Sequence, residues 1–171
     1  MNPLSKVFLY TRHDYVRNNL PHSKNLDIGA GLHPVTRDSF TVDTEAWKKP
    51  DEIASVMDLP FSDRTFDSAT LLEVIEHVPP EDQVGALKEV KRVVKQDGTV
   101  ILSTPYITNR TKALWIIVWW FWENTVQKEY RHKHIGQLHF NDLLRKVRES
   151  GLVPLSSKRF CIFDVVVICR A

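Results

Sequence analysis

Leu26-Asp27-Ile28-Gly29-Ala30-Gly31 is the stretch that decides the fold. A short apolar strand, Asn25 to Ile28, runs straight into a Gly-x-Gly turn. Glycine there lets the backbone pass close to a ligand with no side chain in the way. In an open parallel sheet, ligands sit beyond the carboxyl ends of the strands. The turn is therefore the predicted rim of a binding cleft. A lone Gly-x-Gly also serves as an ordinary strand-to-helix turn, and without the full G-x-G-x-x-G spacing it does not imply a nicotinamide dinucleotide.

Outward from the turn, strand and helix signals alternate. Ser39 to Val42 reads as a second strand ending at Asp43, Ile53 to Met57 as a third and Phe66 to Leu72 as a fourth. Thr99 to Thr104 reads as a fifth, and its run Val100-Ile101-Leu102 has the continuous apolar character of a buried central strand. An acid at the tip of the second strand can accept hydrogen bonds from two ribose hydroxyls, or can simply cap a turn. Between the fourth and fifth strands, Val84, Leu87, Val90 and Val94 recur at helical spacing, predicting a helix over about Glu81 to Lys95 with Gly98 as its stop. A second helix starts from the cap Asn141, buries Leu143, Leu144 and Val147 and ends at Gly151. Leu152 to Ser157 and Phe163 to Cys169 then pair as a hairpin, and residues 3 to 19 form a leading helix. The alternation predicts an α/β sheet covered on both faces. A chain of 171 residues suits one domain, spanning 1–171.

The order of segments is more specific than any one of them. Leu26 to Gly31 is followed by Val42-Asp43, Asp58-Leu59-Pro60-Phe61, Thr65-Phe66-Asp67, Leu72-Glu73-Val74-Ile75-Glu76-His77-Val78 and Gly98 to Pro105. This series resembles the class I S-adenosylmethionine (SAM)-dependent methyltransferases, in the methyltransferase type 11 branch typified by ubiquinone-biosynthesis O-methyltransferases. The resemblance covers residues 24 to 106 closely and 130 to 171 loosely. It implies a Rossmann-like, seven-stranded methyltransferase sheet with helices on both faces and a reversed final hairpin. It also implies SAM as cofactor. By resemblance Asp27, Gly29, Ala30 and Gly31 hold the methionine part, Asp43 and Thr44 the ribose, and Val56, Met57, Asp58 and Leu59 lie along the adenine. Leu72 and Glu73 flank the methionine end, and His77 stands at the methyl group.

Three departures mark this chain. His33 stands where the family has its third loop glycine. Only 11 residues separate Gly31 from Asp43, about the minimum for a crossover with its helix, so a vestigial first helix is expected and the fold is a minimal version. Ser55 aligns with the acid that usually faces the adenine amine.

The resemblance implies methyl transfer from the sulfonium to a small-molecule or lipid-like acceptor at oxygen. Such a transfer uses a general base, for which His is the usual choice. His77 is the first candidate and His134 the second. Against this stand two other readings, a non-catalytic binding or scaffold protein of the same fold and an RNA methyltransferase. Local basic clusters (Lys88, Lys91, Arg92, Lys95; Arg131 to His134; Arg145, Lys146, Arg148) support RNA, but they also suit solvated helix faces. A net charge of only +2 argues against nucleic acid. Ser103-Thr104-Pro105-Tyr106 looks like the signature of amino-group methyltransferases, yet it follows the fifth strand and not the fourth, so it does not argue for N-methylation.

Cys161 and Cys169 have no metal-ligand spacing, and no metal is expected. No secretory signal is visible between Met1 and Tyr10, and a reduced cytoplasmic setting fits. The Trp-rich insertion, about residues 107–139, contains Leu114 to Trp122 with four of the five tryptophans. It is too short to span a bilayer. It reads as a lid helix packed on its own domain, or as a homodimer face or peripheral membrane contact, where Trp is enriched.

Overall fold

The computed structural model describes residues 12–21, 23–105, 139–160 and 164–171. Its strands are β1 (Asn25–Ile28), β2 (Phe40–Asp43), β3 (Glu52–Ile53), β4 (Phe66–Leu72), β5 (Val94–Pro105), β6 (Val153–Arg159) and β7 (Asp164–Arg170). They form one seven-stranded sheet in the order β3-β2-β1-β4-β5-β7-β6. The first five strands pair in parallel, and β7 runs antiparallel to both β5 and β6. This is the Rossmann-like methyltransferase sheet with its reversed hairpin.

Helices cover both faces of the sheet because the central strands β1, β4, β5 and β7 are buried on both sides. On one face α2 (Gln83–Val93) and α3 (Phe140–Glu149) bury Leu87, Val90, Leu143 and Val147 against Leu26, Ile28, Val100 and Leu102. On the other face Val16 of α1 (12–19) and Leu20 just after it pack against Ile101, Val166 and Ile168. The alternation along β5 and β7 divides their residues between these two cores.

The expected elements are present with shifted ends. The buried stripe of α2 is Ala86, Leu87, Val90 and Val93, because the helix ends at Val93 and Val94 already begins β5. Helix α3 takes His139 as its N-cap instead of Asn141. β3 is only two residues long and not the predicted Ile53 to Met57, because Ser55 and Asp58 close a tight turn, with the Asp58 N–H donating to the Ser55 carbonyl at 3.0 Å. The shortened first crossover is a succession of turns with no helix between Gly29 and Ser39. Val35 is buried there beside Val16 and Leu20, so α1 and one valine cover the strip of sheet that a crossover helix would otherwise shield. Leu114 to Trp122 and His134 lie outside the described residues, as does most of the predicted insertion.

Candidate cofactor cleft

The strand order reverses at β1, which pairs with β2 on one side and β4 on the other. The connections leaving these strands diverge, and a crevice opens beyond their carboxyl ends. Gly29 turns away from β1 with φ +68°, and a Cβ there would lie 2.5 Å from Val74 Cγ2. Only glycine combines that dihedral with that approach. Its N–H is anchored on the Val42 carbonyl at 2.7 Å, which ties the turn to the tip of β2. Gly31 follows with φ +58°, and the space where its Cβ would stand is open.

Between these tips lies a cleft of about 390 Å³, within the usual range for small-molecule sites. Ile28, Ala54, Val56, Val74 and Val78 give it apolar walls. Asp43, Thr44, Glu45, Lys48, Ser55, Glu73 and His77 supply its polar groups. A separate hollow of about 190 Å³ lies on the other side of Gly29, lined by Arg12, Asp27, Ala30, Gly31, His33 and Leu72, among others. His33, in the place of the third loop glycine, therefore faces this smaller hollow and not the main cleft.

The expected site residues divide in four ways. Gly29, Asp43, Thr44, Val56, Glu73 and His77 converge on the main cleft, and Ala30, Gly31 and Leu72 on the smaller hollow. Asp27 is buried and holds the loop: one carboxylate oxygen accepts the Val35 N–H at 2.7 Å and the other the Thr70 hydroxyl at 2.7 Å. Burial pushes its carboxyl up to about 6, against these two hydrogen bonds. The side chains of Met57, Asp58 and Leu59 are not brought to the cleft. Met57 reaches toward Gly85, Asp58 closes the turn, and Leu59 is packed in the core with its N–H on Glu89.

Several site features had no sequence signal. Lys48 lies on a one-turn helix, Ala46–Lys48, and its Nζ sits 3.1 and 3.2 Å from the two oxygens of Asp43 and 2.6 Å from Glu45. Burial disfavours its charge, but the hydrogen bonds it donates to Glu45 and Asp43 outweigh this and hold it above the ordinary lysine value. Asp43 also accepts the N–H groups of Gly31 at 3.2 Å and Glu45 at 3.1 Å. Any diol that uses this carboxylate must share it with, or displace, the Lys48 ammonium. A lysine five residues after a strand tip carries no motif, and only the short helix turns it back onto Asp43.

Arg12 is the second feature without a signal. From α1 its Nη1 lies 3.0 Å from Glu73 at the end of β4 and 3.0 Å from Asp164 at the start of β7. The Ser103 hydroxyl donates to Glu73 at 2.9 Å. Glu73 takes the left-handed conformation, φ +58°, in which its N–H reaches the Ser103 carbonyl. Glu76, on the one-turn helix Ile75–His77, is fully buried beside them.

The donor set fits SAM. The apolar walls suit an adenine, Asp43 a ribose diol, and the Gly29–Gly31 turn the close approach of the methionine half. A family model described as the methyltransferase domain matches residues 26–102. Over 54 residues, 31% of this chain, the sequence is 48% identical to the demethylmenaquinone methyltransferase of Lactobacillus johnsonii, and the match spans 21% of that enzyme's length. A SAM-dependent methyltransferase of Methanosarcina mazei shares the fold with a TM-score of 0.67 at 18% identity, over 91% of this chain and 96% of that one. The geranyl diphosphate C-methyltransferase of Streptomyces coelicolor, solved with S-adenosyl-L-homocysteine (SAH), does so with a TM-score of 0.68 at 11% identity, over 94% of this chain and 77% of that one.

Proposed function

We propose that this chain, a class I SAM-dependent methyltransferase by its sheet and by the methyltransferase domain over residues 26–102, transfers the methyl group of SAM to a small-molecule or lipid-like acceptor at oxygen. The observation that carries this reading is the convergence, in one cleft, of the glycine turn packed on Val74 and the Asp43 carboxylate at the adjacent strand tip. Asp43 and Thr44 would hold the ribose, Val56 would offer an apolar wall to the adenine, and Glu73 and Leu72 would stand toward the methionine end.

When bound, the cofactor supplies an activated sulfonium methyl, so the chain contributes mainly alignment. His77 follows the fourth strand by one turn and lines the cleft. It is the candidate base for the acceptor's proton, and it touches the site without lying among the core residues. Leu114 to Trp122 supports the lipid-like option, since its aromatic run suits a greasy ligand or membrane surface.

A non-catalytic binding role is the second reading, favoured by the ion pair that Lys48 already makes with Asp43. Calorimetry with SAM and SAH, followed by tracing a labelled methyl group into a lipid and metabolite extract, separates the two. Binding with transfer supports the enzyme, and binding without transfer supports the scaffold. No binding at millimolar SAM overturns both.

A further inference from the structure

Most of the buried polar atoms without hydrogen-bond partners among the described residues gather at one place. Both carboxylate oxygens of Glu76, the hydroxyl of Thr104, one oxygen of Asp164 and Nε of Arg12 fall together where the carboxyl ends of β4 and β5 meet the start of β7. Folded proteins leave few such groups unsatisfied, and each one calls for an explanation. Glu76 is the clearest case. It has no solvent exposure, and it lies beside the Glu73 carboxylate and the Thr104 hydroxyl without a donor in good geometry on either oxygen. Burial, then the charge of Glu73, hold its carboxyl well above the ordinary value.

Asp164 tells the same story from β7. Burial, then the Glu73 charge, push it up to about 7 in spite of Arg12. Glu73 and Asp164 thus share one guanidinium, with Glu76 buried beside them. A structural ion-pair network would have matched these charges or surrounded them with donors. The cluster holds more acceptor oxygens than donors, with only the Thr104 hydroxyl and Arg12 Nε left over as donors and one guanidinium for charge, and Glu73 carries it to the wall of the cleft.

Resting on the methyltransferase reading above, we propose that Glu73, Glu76, Thr104 and Asp164 form the subsite for the acceptor's head group, which is a hydrogen-bond donor, a hydroxyl or an ammonium, and not an anion. Arg12 is a positioning residue, because its two 3.0 Å contacts fix Glu73 and Asp164 from the opposite side. A phosphate or carboxylate head would meet the charge of Glu73 and of ionised Asp164, whereas a donor head offers bonds to the unpartnered oxygens of Glu76 and Asp164. Side chains from α1, β4, the Ile75–His77 turn, β5 and β7 face this point: Arg12, Glu73, Glu76, Ser103, Thr104 and Asp164. His77 stands nearby on the cleft wall.

The test needs no knowledge of the acceptor. Sinefungin is SAH with the sulfur replaced by a carbon bearing an ammonium group, so it presents a donor cation where the methyl group would be delivered. Calorimetry gives the ratio of SAH to sinefungin dissociation constants in the wild type, Glu73→Gln, Asp164→Asn and His77→Asn. The expected ratio in the wild type at pH 8 is tenfold or more in favour of sinefungin. It should fall below threefold in Glu73→Gln and in Asp164→Asn, and should shrink in the wild type as pH drops from 8 to 6 while Asp164 takes up its proton. His77→Asn should keep that pH dependence and Asp164→Asn should lose it. Loss of the pH dependence in His77→Asn, with its retention in Asp164→Asn, would assign the effect to the histidine and overturn the proposal. Equal ratios in all four proteins, or no preference in the wild type, overturn it while leaving the cofactor reading intact. Failure of the wild type to bind SAH removes both.

Discussion

At the scale of the residue, the cleft depends on a few side chains whose partners are fixed. Asp43 is 5% exposed and accepts four hydrogen bonds or ion-pair contacts within the chain. If it also holds a ribose, Asp43→Ala should weaken SAH binding by roughly 1–3 kcal/mol, the usual cost of losing a charge-assisted hydrogen bond. Calorimetry at constant salt measures this, and unchanged affinity would remove Asp43 from the cofactor site. Lys48 makes a sharper case, because it competes for the same oxygens. Lys48→Ala should tighten SAH binding two- to fivefold, about 0.5–1 kcal/mol, the order of a partly exposed ion pair. Weaker binding in that variant would mean that the ammonium stays and serves the ligand. The position of Asp43 at a strand tip was legible in the sequence. The presence of Lys48 was not, since nothing in Ala46-Trp47-Lys48 announces a helical turn that folds a side chain backward.

At the scale of the element, the start of β5 is the place where the sequence misled. Gly98 reads as the stop of the preceding helix, yet α2 ends at Val93 and Gly98 lies within the irregular start of the strand. The pairing of β4 with β5 slips between Phe66 and Ser68, as at a bulge. A Cβ on Gly98 would stand 2.5 Å from Val94 Cγ1, 2.7 Å from the Asp67 carbonyl and 2.8 Å from the Lys95 carbonyl. Two of those atoms are backbone and cannot turn aside. Gly98→Ala should therefore destabilise the fold by about 1–3 kcal/mol, as overpacking does. Urea denaturation should show this as a lower midpoint with an unchanged slope. A wild-type midpoint would show that the strand start relaxes freely. The helical and strand patterns on either side were plain from periodicity. The exact junction was not, because it depends on how closely β4 approaches.

At the scale of the whole molecule, α1 closes the face of the sheet that the short first crossover leaves bare, and it carries a pH-sensitive group into that core. His13 is buried, and burial, then the charges of Arg12 and Arg17, lower its pKa to about 4 from 6.5. A histidine depressed in the folded state binds fewer protons there than when unfolded. Its contribution to stability is complete above pH 6.5 and is lost as pH falls toward 4. Asp27 and Asp164 are raised and act in the opposite sense, so the comparison must be made against a variant that retains both. Between pH 7 and 4.5 the Tm of the wild type should fall by about 4 °C or more beyond that of His13→Gln, the size expected for one or two kcal/mol in a domain this large. Parallel Tm curves would show that His13 is solvated. The sequence by itself determined the strands, the helices, the final hairpin and the cleft rim at Gly29, because apolar periodicity and a glycine turn are local and survive without knowledge of neighbours, while the seven-stranded sheet and the reversal of its hairpin were implied by the resemblance of the segment series. Only the tertiary structure decided that Lys48 lies on Asp43, that Asp27 secures the crossover, and that Arg12, Glu73, Glu76 and Asp164 meet. These groups are separated by up to 152 positions in the chain, and a charge acquires its partner and its burial only when distant elements pack around it.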